Sequence, residues 1–204
     1  MRLAPIALAL AASALLAGCG SKSATSSKIE SAPTPKRTFL GSAVTPPRRA
    51  QPIALHDAWG RPVTLASLRG KYVLVTFLYV HCPDVCPLIA QNLNAALTQL
   101  GSARSRVRVL AVSVDPKGDT PVAVRKFIAN RGLLPQFHYL IGTRAQLKPV
   151  WTAWHVLAVS STPGVVDHVA YTALVDPSGR QRVLYDSKVK STQVLHDLRV
   201  LMSA

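Results

Sequence analysis

Two cysteines four residues apart are the side chains of this sequence best suited to chemistry. Cys82 and Cys86 stand in the run CPDVCP, and each is followed by a proline. Such a pair can close a disulfide, chelate a soft metal, or do both. A purely structural disulfide would add little stability here, because the stabilisation from closing a loop shrinks with loop length. Two thiolates select Cu(I) or Zn(II) over hard cations.

The six histidines of the chain are the candidates for completing a metal site. Structural zinc takes four ligands, whereas Cu(I) is satisfied by fewer. His81 adjoins Cys82, but the alternation of side chains along a strand would point it away. His168 differs because it follows Asp167 and stands just before a strand-like run at Tyr171. For any single histidine, a place on the surface or in the packing is the competing interpretation.

The residues around the cysteines predict a strand followed by a helix. Lys71–Tyr79 is a near-continuous apolar run rich in β-branched and aromatic side chains, typical of a buried central strand. Apolar residues then recur at helical spacing over 88–100. Since a residue before proline avoids the helical region, Cys82 and Cys86 are expected in a turn, with Pro87 as the first helical residue. The helix N-terminus would lower the pKa of the thiols.

Further patterns predict an α/β domain around this strand. They indicate, in order, a β-hairpin, a buried strand, two helices, a second hairpin and a final helix, over residues 53–65, 107–114, 121–130, 144–154, 171–185 and 191–200. Strands that alternate with helices imply a sheet with helices on its faces, and the second hairpin makes that sheet mixed. Ligands of open α/β sheets tend to lie at the carboxyl ends of strands, where the cysteines are expected.

The N-terminal residues are typical of an export signal. Arg2 is followed by an apolar stretch, Leu3–Leu16, which is short for a membrane span and suits a signal peptide. It runs into Leu-Ala-Gly-Cys19, which resembles the bacterial lipoprotein signal, where cleavage leaves a lipidated cysteine as the new N-terminus. We therefore expect a signal peptide over residues 1–18 and lipidation of Cys19. A plain secretory signal is the alternative.

The segment after Cys19 predicts a flexible tether. Residues 19–51 are rich in Ser, Thr, Pro, Lys and Ala and lack apolar periodicity. A single domain is expected over residues 52–204, which is enough chain for a proper core. The protein would then be an extracytoplasmic, membrane-anchored lipoprotein on the cell-envelope side.

The chain is strongly basic, with 24 Lys and Arg against 9 Asp and Glu and a net charge of +15. A basic balance invites a nucleic-acid interpretation. The export signal and the scattering of the basic residues argue against it. The charge suits solubility, an anionic membrane surface or an acidic partner. Oligomeric state is unmarked, and a monomer is assumed.

Four short blocks together resemble the Sco/SenC family of copper proteins. They are CPDVCP at 82–87, VDPKGDTP at 114–121, the pair Asp167-His168, and DPSG at 176–179. Their order and spacing agree with the family over roughly residues 52 to 204. The resemblance implies a thioredoxin-like fold, a three-layer sandwich with a mixed central sheet and an N-terminal β-hairpin.

The resemblance also implies a copper site. Its ligands for Cu(I) or Cu(II) would be the thiolates of Cys82 and Cys86 and the imidazole of His168. The two cysteines could also form a redox-active disulfide. Three carboxylates would support the site or the turns beside it: Asp84, Asp115 and Asp167.

The implied role is delivery of copper to the binuclear copper site of a respiratory cytochrome oxidase, or reduction of the cysteines of that site. Partners would be the copper-bearing oxidase subunit, other copper chaperones or thioredoxin-like reductants, and the membrane through the lipid anchor. A general oxidoreductase is disfavoured by the C-x-x-x-C spacing and by Asp167-His168, where such enzymes usually place a cis-proline. A sensor of copper or redox stress is a third interpretation that the sequence leaves open.

Overall fold

The computed structural model describes residues 38–156, 159–162, 165–167 and 170–203, with the backbone alone in the second and third of these ranges. This part of the chain contains ten strands and four α-helices. In chain order they are β1 (Ser42–Arg49), β2 (Ala54–Asp57), β3 (Pro62–Thr64), β4 (Tyr72–Leu78), α1 (Val85–Gln99), β5 (Val107–Ser113), α2 (Pro121–Asn130), β6 (Phe137–Ile141), α3 (Arg144–Ala153), β7 (Val159–Thr162), β8 (Val165–Asp167), β9 (Thr172–Val175), β10 (Arg180–Tyr185) and α4 (Ser191–Met202).

Eight of the described strands form one mixed sheet in the order β1-β10-β9-β4-β5-β6-β2-β3. The central strand β4 is parallel to β5 and antiparallel to β9. All seven residues of β4 are buried, as its apolar composition predicts. The expected α/β architecture, with a mixed sheet, flanking helices and an N-terminal hairpin of β2 and β3, is confirmed.

Two helices begin at threonines that cap them. Thr120 accepts a hydrogen bond from the backbone N–H of Ala123, and Pro121 is the first residue of α2, as the sequence predicts. Thr143 forms a capping box with Gln146 at the start of α3. These caps fix where each helix leaves the sheet, and therefore fix the loops at the carboxyl ends of β5 and β6.

The sheet is larger than the sequence predicts. Residues 42–49, within the expected tether, form β1, which pairs antiparallel with β10. The prolines and arginines of this segment do not predict a strand. An edge strand nevertheless tolerates proline, because one side of it has no hydrogen-bonding partner. The unpredicted β6 lies parallel to β5. Its five residues include His138, which breaks the apolar run. β7 and β8, which the sequence patterns do not predict, pair antiparallel with each other.

A buried carboxylate fixes the start of the domain. Asp197 on α4 accepts hydrogen bonds from the backbone N–H groups of Leu40 and Gly41, at 2.8 and 3.0 Å. It also accepts one from the hydroxyl of Tyr185, at 2.9 Å. A β-carbon on Gly41 would lie 2.4 Å from Val183, so only glycine fits without displacing the core. The ordered domain therefore begins before residue 52.

No helix in the described part of the chain is long and apolar enough to cross a membrane.

Candidate metal centre at the carboxyl end of the central strand

Cys82 lies in the loop between β4 and α1, as predicted, whereas Cys86 lies in the first turn of α1. The backbone N–H of Cys82 donates to the carbonyl of Tyr79, 3.3 Å away, so the chain turns at once after the strand. The backbone N–H of Cys86 donates to the sulfur of Cys82, also at 3.3 Å. Both side chains are buried, with 8% and 0% of their surfaces exposed. The thiols are free of a disulfide and face each other across one turn.

The helix begins two residues earlier than the sequence predicts. α1 starts at Val85, so Cys86 lies in its first turn and Pro87 is its third residue. The first N–H groups of a helix have no acceptor within it, and a proline there sacrifices no hydrogen bond. The restriction on the residue before proline is overridden at Cys86. Asp84 stands at the cap position, exposed, and its side chain makes no capping hydrogen bond.

The predicted lowering of the thiol pKa is wrong for Cys86. Burial raises the pKa of Cys86 well above its ordinary value, and the nearby Cys82 raises it further. Desolvation of the charged form outweighs the helix terminus, because Cys86 is wholly enclosed by the core. A soft metal that binds Cys86 must therefore displace its proton, which couples metal affinity to pH.

Asp119, in the VDPKGDTP block, is a buried structural residue beside Cys82. It is 3% exposed and accepts the backbone N–H of Val80 at 2.8 Å, which fixes the loop two residues before Cys82. The hydroxyls of Ser113 and Tyr139 also donate to it, at 2.6 and 3.1 Å. Burial raises the pKa of Asp119 to about 6 despite these hydrogen bonds.

Asp115 supports a turn beside the site, which is one of the two roles predicted for it. Its carboxylate accepts the backbone N–H groups of Lys117 and Gly118, at 3.2 and 3.1 Å. A β-carbon on Gly118 would lie 2.2 Å from this carboxylate and 2.9 Å from Nδ1 of His81. The exposed imidazole of His81 thus lies against this turn. Among the described residues, Asp115 is not part of a cluster of side chains that could hold a metal ion.

The remaining predicted site residues lie at or beyond the limits of the described chain. Cys19 and His168 are outside the described residues, and Asp167 is described only as the backbone end of β8. The strand that follows is where it was expected: the hydroxyl of Thr76 in β4 donates to the carbonyl of Tyr171, 3.3 Å away. Among the described residues, no group of three His, Cys, Asp or Glu could hold a metal.

The described donors still fit a soft metal. Two thiols in one turn, enclosed by apolar side chains, are a donor set that Cu(I) prefers and that hard cations do not. An aromatic cluster forms near the carboxyl end of β4, where the ring of Phe77 lies 5.9 Å from that of Trp154 and 5.6 Å from that of Tyr171.

Comparison with known proteins gives a consistent family. The family model described as SCO1/SenC matches residues 43–203. A mitochondrial protein of Saccharomyces cerevisiae, SCO2, is 31% identical over 138 residues, which are 63% of this chain and 44% of that protein. The match to an SCO2-like protein of Rickettsia prowazekii covers 65% of that protein. The chain thus spans between about half and two thirds of these curated relatives.

Two solved structures resemble the domain closely. Bradyrhizobium japonicum ScoI with copper bound superposes with a TM-score of 0.66 at 32% identity, covering 75% of this chain and 99% of that one. Apo Sco1 from Thermus thermophilus gives a TM-score of 0.71 at 32% identity, covering 82% and 99%. Both solved chains consist almost wholly of the matched domain, so this fold forms in them without an N-terminal segment.

Proposed function

The chain belongs to the SCO1/SenC family, and on that premise we propose that it is a membrane-anchored, extracytoplasmic copper chaperone for a respiratory cytochrome oxidase. The observation that carries the proposal is the pair of enclosed free thiols at the carboxyl end of β4, joined by the hydrogen bond from Cys86 N–H to Cys82 sulfur. A 32% identical relative has copper bound. The Sco proteins are described as a family of cytochrome c oxidase assembly proteins.

The cargo would be one copper ion held by Cys82, Cys86 and His168. Thiolates favour Cu(I), and imidazole accepts Cu(I) and Cu(II), so this donor set tolerates both oxidation states. Three protein ligands leave room for a ligand of the acceptor, and copper can then pass by ligand exchange without free release. Asp119 supports this role indirectly, because it fixes the backbone just before Cys82.

The anchor would be a lipidated Cys19. Several acyl chains on one residue hold a protein firmly at a membrane, since each buried methylene contributes about 0.8 kcal/mol. Confinement near a membrane-bound oxidase subunit raises the effective concentration of the donor at its acceptor. Residues 19–37 would then be the tether, ahead of the point where Asp197 fixes the chain.

Copper loading of single variants tests the proposed ligands. Wild type should retain one copper per chain and show sulfur-to-Cu(II) charge-transfer absorption. Cys82→Ala, Cys86→Ala and His168→Ala should each lose tight binding. His81→Ala is the matched control, because it adjoins the same loop with an exposed imidazole, and it should bind like wild type. Unchanged binding in His168→Ala would remove the three-ligand model.

A thiol–disulfide reductase of the oxidase cysteines is the second candidate, favoured by the closeness of the two sulfur-bearing residues. In that reaction the Cys82 thiolate attacks the acceptor disulfide, Cys86 resolves the mixed disulfide, and two electrons reduce the acceptor cysteines. A thioredoxin-like reductant would then restore the Cys82–Cys86 thiols. Reduction of a model disulfide that survives His168→Ala, with no copper retained by wild type, would favour this candidate over the chaperone.

A further inference from the structure

Basic side chains collect at one edge of the sheet. Because β4 and β5 are parallel, their amino ends lie at the edge opposite the cysteine loop. The turn from β9 to β10 lies at that same edge, since Val73 at the start of β4 pairs with Val175 at the end of β9. Along the part of this edge from β1 to β5, six exposed arginines lie on strand ends, turns and a helix end, and we call them the basic pole: Arg48, Arg49, Arg69, Arg106, Arg180 and Arg199.

The first half of the basic pole is joined across β1, β10 and the turn before β10. Arg49 stands directly opposite Arg180 in the antiparallel register of β1 and β10. The guanidinium of Arg69 donates to the carbonyl of Ser178, in the turn that leads to Arg180. These contacts hold three positive charges over one short stretch of surface.

The second half is joined through Tyr72, the first residue of β4. The guanidinium of Arg106 lies 5.6 Å from the centroid of the Tyr72 ring. The hydroxyl of the same tyrosine donates to the carbonyl of Leu201, 2.9 Å away, near the end of the helix that carries Arg199. The strand register therefore places both halves along the same edge of the sheet.

Carboxylates do not neutralise this surface. In the described strand ends and turns of the edge, the acidic residues are Asp57 and Asp176, which are buried and bonded to Arg61 at 2.7 Å and to Arg182 at 3.1 Å. Like charges directly opposite on neighbouring strands destabilise a sheet, and Arg49 opposite Arg180 is such a pair. The free protein bears this repulsion, and an anionic surface would relieve it.

The basic pole also lacks what a protein-docking surface needs. Protein interfaces have an apolar centre with a few aromatic or other large anchors. Three exposed large apolar side chains of the described residues, Leu40, Leu88 and Val122, lie away from this edge. Trp59 lies at the edge but beyond β6, in the turn between β2 and β3, where the guanidinium of Arg61 covers its ring. A bilayer surface with anionic lipids needs no apolar contact, because each Arg or Lys near it adds electrostatic attraction.

We propose that the basic pole binds the surface of a lipid bilayer that contains anionic lipids. The inference rests on the anchoring proposed above, since a lipidated Cys19 keeps the domain within reach of such a surface. The cysteine loop lies at the opposite edge of the sheet. The bound domain therefore presents Cys82 and Cys86 away from the membrane, where copper and the acceptor can reach them.

Vesicle co-sedimentation of the domain from residue 37 onward tests this binding without the lipid. The vesicles contain phosphatidylcholine alone or phosphatidylcholine with phosphatidylglycerol. Two quadruple variants with the same net charge are compared. The pole variant carries Arg48→Gln, Arg49→Gln, Arg106→Gln and Arg199→Gln. The control variant carries Lys126→Gln, Arg144→Gln, Lys148→Gln and Lys188→Gln, at exposed positions away from the pole.

Wild type and the control variant should bind the anionic vesicles and release them as salt rises, because salt screens exposed charges. The partition coefficient of the pole variant onto the anionic vesicles should be lower than that of wild type by about tenfold or more. Equal partitioning of the two variants, or equal binding to neutral vesicles, overturns the proposal. Pole-dependent binding to DNA or to polyglutamate without vesicle binding also overturns it, and would assign the surface to nucleic acid or to an acidic protein.

Copper loading keeps this test separate from the proposed function. The pole variant should load copper like wild type, and vesicle-bound wild type should load it as fast as free protein. Loading that is blocked on vesicles overturns the proposed orientation. Vesicle binding in a domain that takes up no copper would support the basic pole and contradict the chaperone alone.

Discussion

Asp119 links the chemistry of the cysteine loop to its geometry. This buried carboxylate connects the backbone before Cys82 to Ser113 in β5 and Tyr139 in β6, through hydrogen bonds of 2.6 to 3.1 Å. An unpaired N–H at Val80 would cost stability and leave the loop free to shift. We therefore expect Asp119 to influence copper binding through the backbone that it positions.

We expect Asp119→Asn to change how stability depends on pH. The folded protein binds this proton more tightly than the unfolded chain, since burial raises the pKa of Asp119 from 3.8 to about 6. Its contribution is fully present below about pH 4 and is lost as pH rises through about 6. As pH rises from about 4 to about 6, the free energy of unfolding of copper-free wild type should fall by about 2 to 3 kcal/mol relative to that of Asp119→Asn. Urea unfolding at each pH measures this difference.

The exposed Asp186 supplies the control for that measurement. Asp186→Asn should keep the pH dependence of wild type. A pH dependence in Asp119→Asn equal to that of wild type would contradict the buried-carboxylate account.

The site residues show how far sequence reasoning reaches. The motif placed Cys82 correctly, because a buried strand followed by a helix is a local pattern, but it put the start of the helix after Cys86, which lies in the first turn of α1. It misjudged the pKa of Cys86, since burial depends on packing against residues distant in sequence. It also missed the buried role of Asp119, whose three donors come from three separate elements. The copper ligand His168 stays a prediction, outside the described residues.

Among the elements, β1 differs most from what the sequence predicts. The sequence predicts a tether up to residue 51, whereas β1 is an edge strand of the sheet. Its composition gives no apolar alternation, because Val44 is its buried residue and the others are largely exposed. What holds the strand is pairing with β10 and the contacts of Asp197 just before it. Such tertiary contacts leave no trace in local sequence.

Asp197→Ala should therefore destabilise the domain strongly. The change leaves the N–H groups of Leu40 and Gly41 and the hydroxyl of Tyr185 without their acceptor. We expect the free energy of unfolding to fall by about 3 to 5 kcal/mol in chemical denaturation. Asp186→Ala, at an exposed position, should change it by less than about 0.5 kcal/mol. A similar small effect of both substitutions would refute the role given to Asp197.

At the scale of the whole molecule, the cysteine loop lies at one edge of the sheet and the basic pole at the other. Asp197 on α4 binds the backbone of Leu40 and Gly41, ahead of β1. The family resemblance predicted the α/β fold and its mixed central sheet correctly. The charge asymmetry could not be seen in the sequence, where the arginines are scattered and only the sheet register brings them together.

Truncation distinguishes the two domain boundaries. A chain that begins at residue 37 should fold fully, whereas one that begins at Gln51 lacks β1 and the contacts of Asp197. The shorter chain exposes the edge of β10, a template for aggregation. Its thermal midpoint should be lower by about 5 °C or more, with oligomers on size-exclusion chromatography. Equal midpoints and equal elution would show that residues 38–50 are dispensable, as in the tether interpretation.

X-ray absorption at the copper edge tests the central claim most directly. The copper-loaded domain from residue 37 onward would be measured as wild type, as His168→Ala and as the control His81→Ala. We predict two sulfur scatterers and one imidazole nitrogen in wild type and in His81→Ala, with the imidazole signal absent from His168→Ala. A wild-type spectrum without sulfur, or one unchanged in His168→Ala, would contradict the Cys82, Cys86 and His168 site.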